Sequence, residues 1–176
     1  MSAAALSPVL TSKRDSAQSI PHHIDGDAHG EWSLPLPIVL PELRVLPTPM
    51  QLFMFSAVTW NRHHIHYSAD GARAEGHPDV VVQRTLVGNY FARHAGAWLG
   101  TAGRIGRLCW RVTGPAVPHQ WLRCNGVVQD LVQDADESPD MGAGGLLRLR
   151  YQGWLTAEGE REVASAEGVL CIQWPT

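Results

Sequence analysis

The sequence has little of what marks metal, redox, nucleic-acid-binding or membrane proteins. Its three cysteines are widely spaced and form no Cys-x-x-Cys pair, which argues against a zinc or redox site. They predict reduced core thiols in a cytoplasmic protein. A net charge of -3 offers no basic face for nucleic acid. No apolar run reaches the roughly 18 residues of a membrane span, and the first ten residues lack the pattern of a secretory signal.

The length of 176 residues predicts one domain with a proper core. Residues 1–31 are rich in Ser, Ala, His, Asp and Gly without periodicity, and they predict a flexible N-terminal tail. Residues 32–176 then form the single domain. It opens with a proline-rich extended arm over 32–49, which includes a short strand near Leu43 and Val45.

Two helices are predicted after the arm. Thr48 and Pro49 are favoured as the cap and first residue of a helix, and apolar residues then recur at helical spacing as far as Val58. Residues 67–75 predict a second, short helix that Gly76 ends.

The strongest helix is predicted over 83–99, where apolar residues recur at intervals of three and four. Gly88 and Gly96 weaken a helix interior, so we expect close approach to a sheet at both. His94, on its core face, is expected to be a hydrogen-bonded core histidine. Four segments with period-two alternation follow, over 105–113, 120–134, 145–156 and 162–174, separated by turn residues. The pattern predicts an α+β fold, with a long helix across an antiparallel sheet.

Residues 55–67 hold the candidate chemistry, because three of the nine histidines lie within four positions there. The run reads Phe-Ser-Ala-x-Thr-x-Asn-x-His-x-Ile-His-Tyr. It resembles the hydratase motif of MaoC-like dehydratases, the (R)-specific enoyl-CoA hydratase family, in its mesaconyl-CoA hydratase-like branch. The similarity extends from about Pro47 to the C-terminus.

The resemblance implies a hotdog fold, a long central helix wrapped by an antiparallel sheet. It also implies a hydro-lyase of fatty acid metabolism that acts on an acyl-CoA or acyl-carrier-protein thioester. The family is free of metal and of resident cofactor, since CoA or phosphopantetheine arrives with the substrate. We expect a homodimer, or a heterodimer with another hotdog subunit, because such folds expose an edge strand.

The same resemblance places the catalytic residues at His66 and Asn61. His66 is the expected acid and base. Asn61 stands where the commonest family motif has an aspartate; an amide orients water but takes no proton at neutral pH. A mechanism with one histidine is therefore favoured over one with two proton-handling groups.

Substrate-binding positions are expected at Val82, Gln83, Arg84 and His64. The first three match the family segment that opens the central helix, where backbone amides face the thioester oxygen; Gln83 replaces a histidine and Arg84 a glycine. Arg84 either reaches a phosphate of the carrier or pairs with an aspartate, Asp79 or Asp70. His63 and His64 are expected in solvent or supporting roles, since adjacent side chains do not converge easily on one metal.

Three functions compete on this sequence. The first is a hydratase or dehydratase of enoyl and hydroxyacyl thioesters. The second is a non-catalytic or weakly catalytic hotdog subunit that shapes the acyl pocket of a partner, which the replacements at Asn61 and Gln83 keep open. The third, a thioesterase, is weaker, because residues 83–99 contain no carboxylate to activate water.

Overall fold

The computed structural model describes residues 36–132 and 146–173. The predicted tail, 1–31, lies outside the described residues, so the division into tail and domain stays a prediction. No helix within the described ranges is long and apolar enough to cross a membrane.

The described residues fold into one antiparallel sheet and three α-helices. The strands are β1 (Ile38–Val39), β2 (Leu43–Val45), β3 (Gly103–Val112), β4 (Leu122–Leu131), β5 (Leu146–Thr156) and β6 (Glu162–Gln173). The helices are α1 (Pro49–Val58), α2 (Ala69–Ala74) and α3 (Arg84–Leu99), with single 3-10 turns at His64–His66 and Glu158–Glu160. Strand order is β1-β4-β5-β6-β3, and β2 also pairs with β4.

Helix α3 lies across the sheet and contacts β3, β4 and β6. Its buried face carries the large apolar side chains of the core, among them Leu86, Tyr90, Phe91 and Trp98. The buried side chains of β4 and β5, such as Cys124, Tyr151 and Leu155, meet this face because they alternate along their strands. This is the hotdog arrangement, and the predicted fold class is confirmed.

The sequence pattern of α1 predicted its bounds but not its environment. Thr48 caps the helix by accepting a hydrogen bond from the Gln51 amide at 3.1 Å. The residues that face inward are Leu52 and Ser56, whereas Phe53 and Val58 are 54% and 81% exposed. Apolar spacing alone cannot distinguish a face that packs within the chain from one left open.

The three cysteines also divide differently from expectation. Cys124 and Cys171 are buried free thiols, as predicted, and burial raises the pKa of Cys124 to about 12. Cys109 is exposed on β3, so the prediction of a core thiol is wrong there.

The two glycines of α3 lie in different packing environments. A Cβ on Gly88 would lie 2.4 Å from the ring of Trp110 on β3, so the predicted close approach to the sheet is confirmed. A Cβ on Gly96 would meet nothing within 4 Å, so the same prediction for Gly96 is wrong.

Paired alanine substitutions in this helix should therefore move stability in opposite directions. Gly96→Ala is expected to stabilise the protein by about 0.5–1 kcal/mol, because alanine has the better helix propensity. Gly88→Ala is expected to destabilise it by about 1–3 kcal/mol, because the indole must shift. Urea unfolding of both variants measures the difference. Equal effects at the two sites would contradict the packing described for Trp110.

Candidate active site

His66 is anchored in a defined tautomer beside the segment that leads into α3. Its side chain is 9% exposed, and Nδ1 lies 2.8 Å from the carbonyl oxygen of Val81. A carbonyl only accepts, so Nδ1 carries the hydrogen and Nε2 keeps a lone pair in the neutral ring. The amide of Val81 in turn donates to the carbonyl of Ile65 at 3.0 Å. Two hydrogen bonds therefore join the 3-10 turn to the segment before α3.

The protonation state of His66 follows from this environment. Burial lowers the pKa of His66 below its usual 6.5. The hydrogen bond to Val81 raises it by less, and the nearby imidazoles of His63 and His77 lower it further. His66 is therefore neutral at pH 7, with Nε2 able to accept a proton.

Asn61 sits where the chain turns after α1. Its amide donates to the carbonyl of Ser56 at 2.9 Å, and its Oδ1 accepts from the amide of His63 at 3.1 Å. With the side-chain oxygen used locally, the side-chain amino group is what remains to donate to a ligand. Asn61 also borders a shallow cavity of about 170 Å³, with Phe53, Trp60 and Tyr67 on its wall. His66 is not part of that wall, so a water shared by His66 and Asn61 stays a prediction.

Gln83 and Val82 are buried at the start of α3. The Gln83 side chain is 0% exposed, and its Nε2 donates to the Leu52 carbonyl at 2.7 Å and to Ser56 Oγ at 2.8 Å. Its side chain thus joins α3 to α1 and does not cap its own helix. The first backbone amides of any helix lack hydrogen-bond partners within that helix. Substrate binding by the α3 amides remains a prediction.

Arg84 lies at the first position of α3 and is exposed. Its carbonyl accepts a hydrogen bond from Trp110 Nε1 at 2.9 Å. Asp70 pairs instead with Arg73 at 3.2 Å, and Asp79 accepts from the Val80 amide at 2.7 Å. Among the residues described, the guanidinium of Arg84 makes no ion pair, so the alternative of pairing with Asp79 or Asp70 is wrong.

The comparisons agree with this fold and motif. Residues 37–117 match the family model described as hydroxyacyl-thioester dehydratase type 2, a range that includes the motif and α3. The mesaconyl-C(4)-CoA hydratase of Chloroflexus aurantiacus is 43% identical over 60 residues, which are 30% of this chain and 21% of that protein. The match thus spans about a fifth of the length of the curated relative.

Solved structures share the fold at low identity. The MaoC-like dehydratase from Rhodospirillum rubrum superposes with a TM-score of 0.63, at 11% identity over 80% of this chain and 92% of that one. A chain of the ChsH1-ChsH2 complex from Mycobacterium tuberculosis gives a TM-score of 0.62, at 21% identity over 77% of this chain and 95% of that one.

In its motif and its fold the chain is similar to MaoC-like dehydratases.

A cluster next to the family motif was missed from the sequence. His63 and His64 both turn toward Glu75, which follows the last residue of α2. The distances are 3.8 Å from His63 Nε2 to Oε2 and 3.2 Å from His64 Nε2 to Oε1. The expectation that adjacent imidazoles do not converge is wrong here, because one carboxylate with two oxygens meets both. No sequence pattern near the two histidines pointed to Glu75, because only the intervening turn and α2 place it beside them.

His94 is a core residue, as predicted. Its Nε2 lies 3.0 Å from the carbonyl oxygen of Pro41, and its Nδ1 lies 2.9 Å from the hydroxyl of Tyr151. Nε2 must donate to the carbonyl, so Nδ1 accepts from the hydroxyl. Both nitrogens have partners within the chain, which leaves His94 no proton to exchange with a substrate.

Proposed function

We propose that this protein is a hydratase or dehydratase that interconverts 3-hydroxyacyl and 2-enoyl thioesters, carried by CoA or by an acyl carrier protein. The observation that supports it most directly is His66. Its Nδ1 bonds to the Val81 carbonyl and its Nε2 has no hydrogen-bond partner among the described residues, in a buried position beside the approach to α3. That arrangement suits an acid and base catalyst with a pKa below neutrality.

In the hydration direction, His66 Nε2 takes a proton from a water molecule while the water oxygen bonds to C3 of the enoyl group. Negative charge develops on the thioester oxygen, and the backbone amides at the start of α3 are the proposed donors for it. The imidazolium then returns its proton to C2. The net result is one C–O and one C–H bond, with His66 neutral again.

Asn61 has a supporting part in this mechanism. Its Oδ1 already accepts from the His63 amide, so its amino group is free to donate to the attacking water or the departing hydroxyl. That hydrogen bond fixes the lone pair of the water toward C3. It cannot replace the proton transfer of His66.

Arg84 is the proposed contact for the carrier. It is exposed at the start of α3 and makes no ion pair within the described ranges, so its guanidinium is available for a phosphate of CoA or phosphopantetheine. His64 is assigned to supporting contacts near this edge. No cofactor is proposed beyond the carrier that the substrate brings.

The direct test is a hydration assay of the purified full chain against a panel of enoyl-CoA esters of different chain length. Mesaconyl-C(4)-CoA belongs in the panel, since the 43% identical relative is named for it. Loss of the enoyl-thioester absorbance reports the reaction. A folded protein that hydrates no member of the panel, and dehydrates none of the matching hydroxyacyl esters, would refute the catalytic proposal.

Substitutions at Asn61 separate its part from that of His66. Asn61→Ala is expected to lower kcat by about 10–100-fold, because water loses one orienting hydrogen bond but the base remains. Asn61→Asp restores the residue of the commoner family motif and should leave activity comparable or higher. The pH–rate profile of Asn61→Asp should gain or shift a second limb, since a carboxylate now titrates beside the water. Identical profiles for Asp and Asn would exclude Asn61 from the reacting atoms.

A second candidate is a non-catalytic subunit that completes the pocket of a partner dehydratase. Several observations support this second candidate. Asn61 replaces the family aspartate, and α1 exposes apolar side chains, including Phe53 and Val58, near the cavity at Asn61. A structural neighbour is itself from a two-component complex. Within the described residues β3 pairs only with β6, so its other edge is open to a second hotdog subunit.

Light scattering of the purified chain distinguishes a homodimer from a monomer that awaits a partner. An active homodimer supports the first candidate. An inactive monomer that gains activity only when mixed with a separate hotdog protein supports the second.

A further inference from the structure

We propose that His63, His64 and Glu75 form a zinc-binding site on the surface beside His66. One ligand atom from each residue, a ring nitrogen of each histidine and a carboxylate oxygen of Glu75, lies within 4.8 Å of the other two. Two imidazoles and one carboxylate are a recognised ligand set for zinc, with water in the fourth position. The proposal concerns binding and stands whether or not the chain is an enzyme.

The distances suit a single ion. Ligand atoms each about 2.1 Å from one zinc ion can be at most about 4.2 Å apart. The contacts of 3.2 Å and 3.8 Å between the imidazoles and Glu75 meet that limit. The remaining adjustment, under an ångström, is available by rotation, since about half of each imidazole side chain and 41% of the Glu75 side chain are exposed.

The backbone around the cluster is arranged to hold His64. The imidazole lies against Gly71 of α2 so closely that a Cβ there would be 2.2 Å from its Cδ2. Gly71 therefore leaves room for the Cδ2 edge of this ring against α2, while Nε2 lies 3.2 Å from Glu75 Oε1. Ser68, the cap of that helix, has its amide bonded to the His64 carbonyl at 2.8 Å, which fixes the turn between them.

Charge also favours a cation at this place. The described ion pairs of Glu75 are only those to the two imidazoles, which are neutral whenever they ligate a metal. With neutral imidazoles, the carboxylate has no other cation among the described residues. A bound divalent ion would supply the positive charge that the carboxylate then lacks.

The consequence for activity rests on the proposed function. The rings of His63 and His66 have centroids 6.0 Å apart, so zinc on His63 would place two positive charges close to the proposed base. It should then slow proton transfer to His66.

The binding test uses the full chain with the tail histidines, His22, His23 and His29, replaced by asparagine, so that they do not add sites. Zinc chloride is titrated against a chromogenic chelator, without substrate. We expect one equivalent to bind, and Glu75→Gln or His64→Ala to weaken binding at least about tenfold. Gly71→Ala should also weaken it, although no ligand is removed, because the new methyl displaces the ring of His64.

His119→Asn is the matched control. His119 is exposed and has a φ of 64°, a conformation that asparagine tolerates, so this variant removes an imidazole without touching the cluster and should bind zinc like the parent. A chain that retains no stoichiometric zinc, or whose affinity is unchanged by both Glu75→Gln and His64→Ala, would overturn the site. Because substrate is absent from this titration, its failure is independent of whether the chain proves to be a hydratase.

Discussion

Replacing His66 with alanine is expected to lower kcat/KM for hydration of an enoyl thioester by about 10²–10⁴-fold. The variant loses Nε2, the group proposed to take a proton from water and return it to C2. It also loses the hydrogen bond to the Val81 carbonyl that joins the 3-10 turn to the approach of α3. Steady-state kinetics of the purified variant measure the loss, and most of it should appear in kcat.

A second variant separates chemistry from structure at the same position. His66→Gln retains an amide that can donate to the Val81 carbonyl but has no titrating group, so we expect it to fold like the parent and to be about as inactive as His66→Ala. His119→Asn, at an exposed position outside the family motif, should keep parental kinetics. Full activity in both His66 variants would refute the assignment of the base.

The pH profile supplies an independent check on His66. Burial holds its pKa below 6.5, so the neutral base predominates through neutrality. The rate of hydration should therefore stay flat through neutrality and decline only at lower pH. A limb centred well above 6.5 would point to a base in a less buried environment.

The fold was predictable because its periodicities are local. The spacing of three and four in α3 and the alternation along β3 to β6 predicted every main element to within a few residues. His66 and Asn61 were proposed from the resemblance to the family motif, which is one continuous stretch, and their roles stay predictions. The burial of His66 and its contact with Val81 agree with the role given to it, whereas the shared water remains to be tested.

What escaped prediction depends on residues far apart in the chain. Gln83 has Leu52 and Ser56 as partners, about 30 positions away, so its replacement of a family histidine could not be interpreted from the sequence. Glu75 reaches His63 and His64 only after the turn and α2 reverse the chain. The exposed face of α1 has the same spacing as a core face, and only the packing of the whole chain distinguishes them.

Removing the imidazole of His94 should cost about 1–3 kcal/mol of unfolding free energy, because it leaves the buried Tyr151 hydroxyl without a partner. His94→Leu deprives the hydroxyl of its hydrogen bond, whereas the carbonyl of Pro41, an exposed residue, can bond to water instead. The double variant His94→Leu, Tyr151→Phe removes the stranded hydroxyl as well and should recover part of the loss. Urea unfolding at pH 7.5 measures all three proteins, and a double variant less stable than His94→Leu would contradict this account.

The same substitution should reduce the sensitivity of the fold to mild acid. Burial lowers the pKa of His94 in the folded chain, whereas the unfolded chain has the ordinary value of about 6.5. Between those two values the unfolded state binds more protons, so stability falls as the pH falls, by up to about 1.4 kcal/mol per pH unit for this group. His66 contributes in the same direction, so His94→Leu should make the fall between pH 7 and pH 5.5 shallower without abolishing it. An unchanged slope would mean that His94 is already protonated within the folded core, which its burial disfavours.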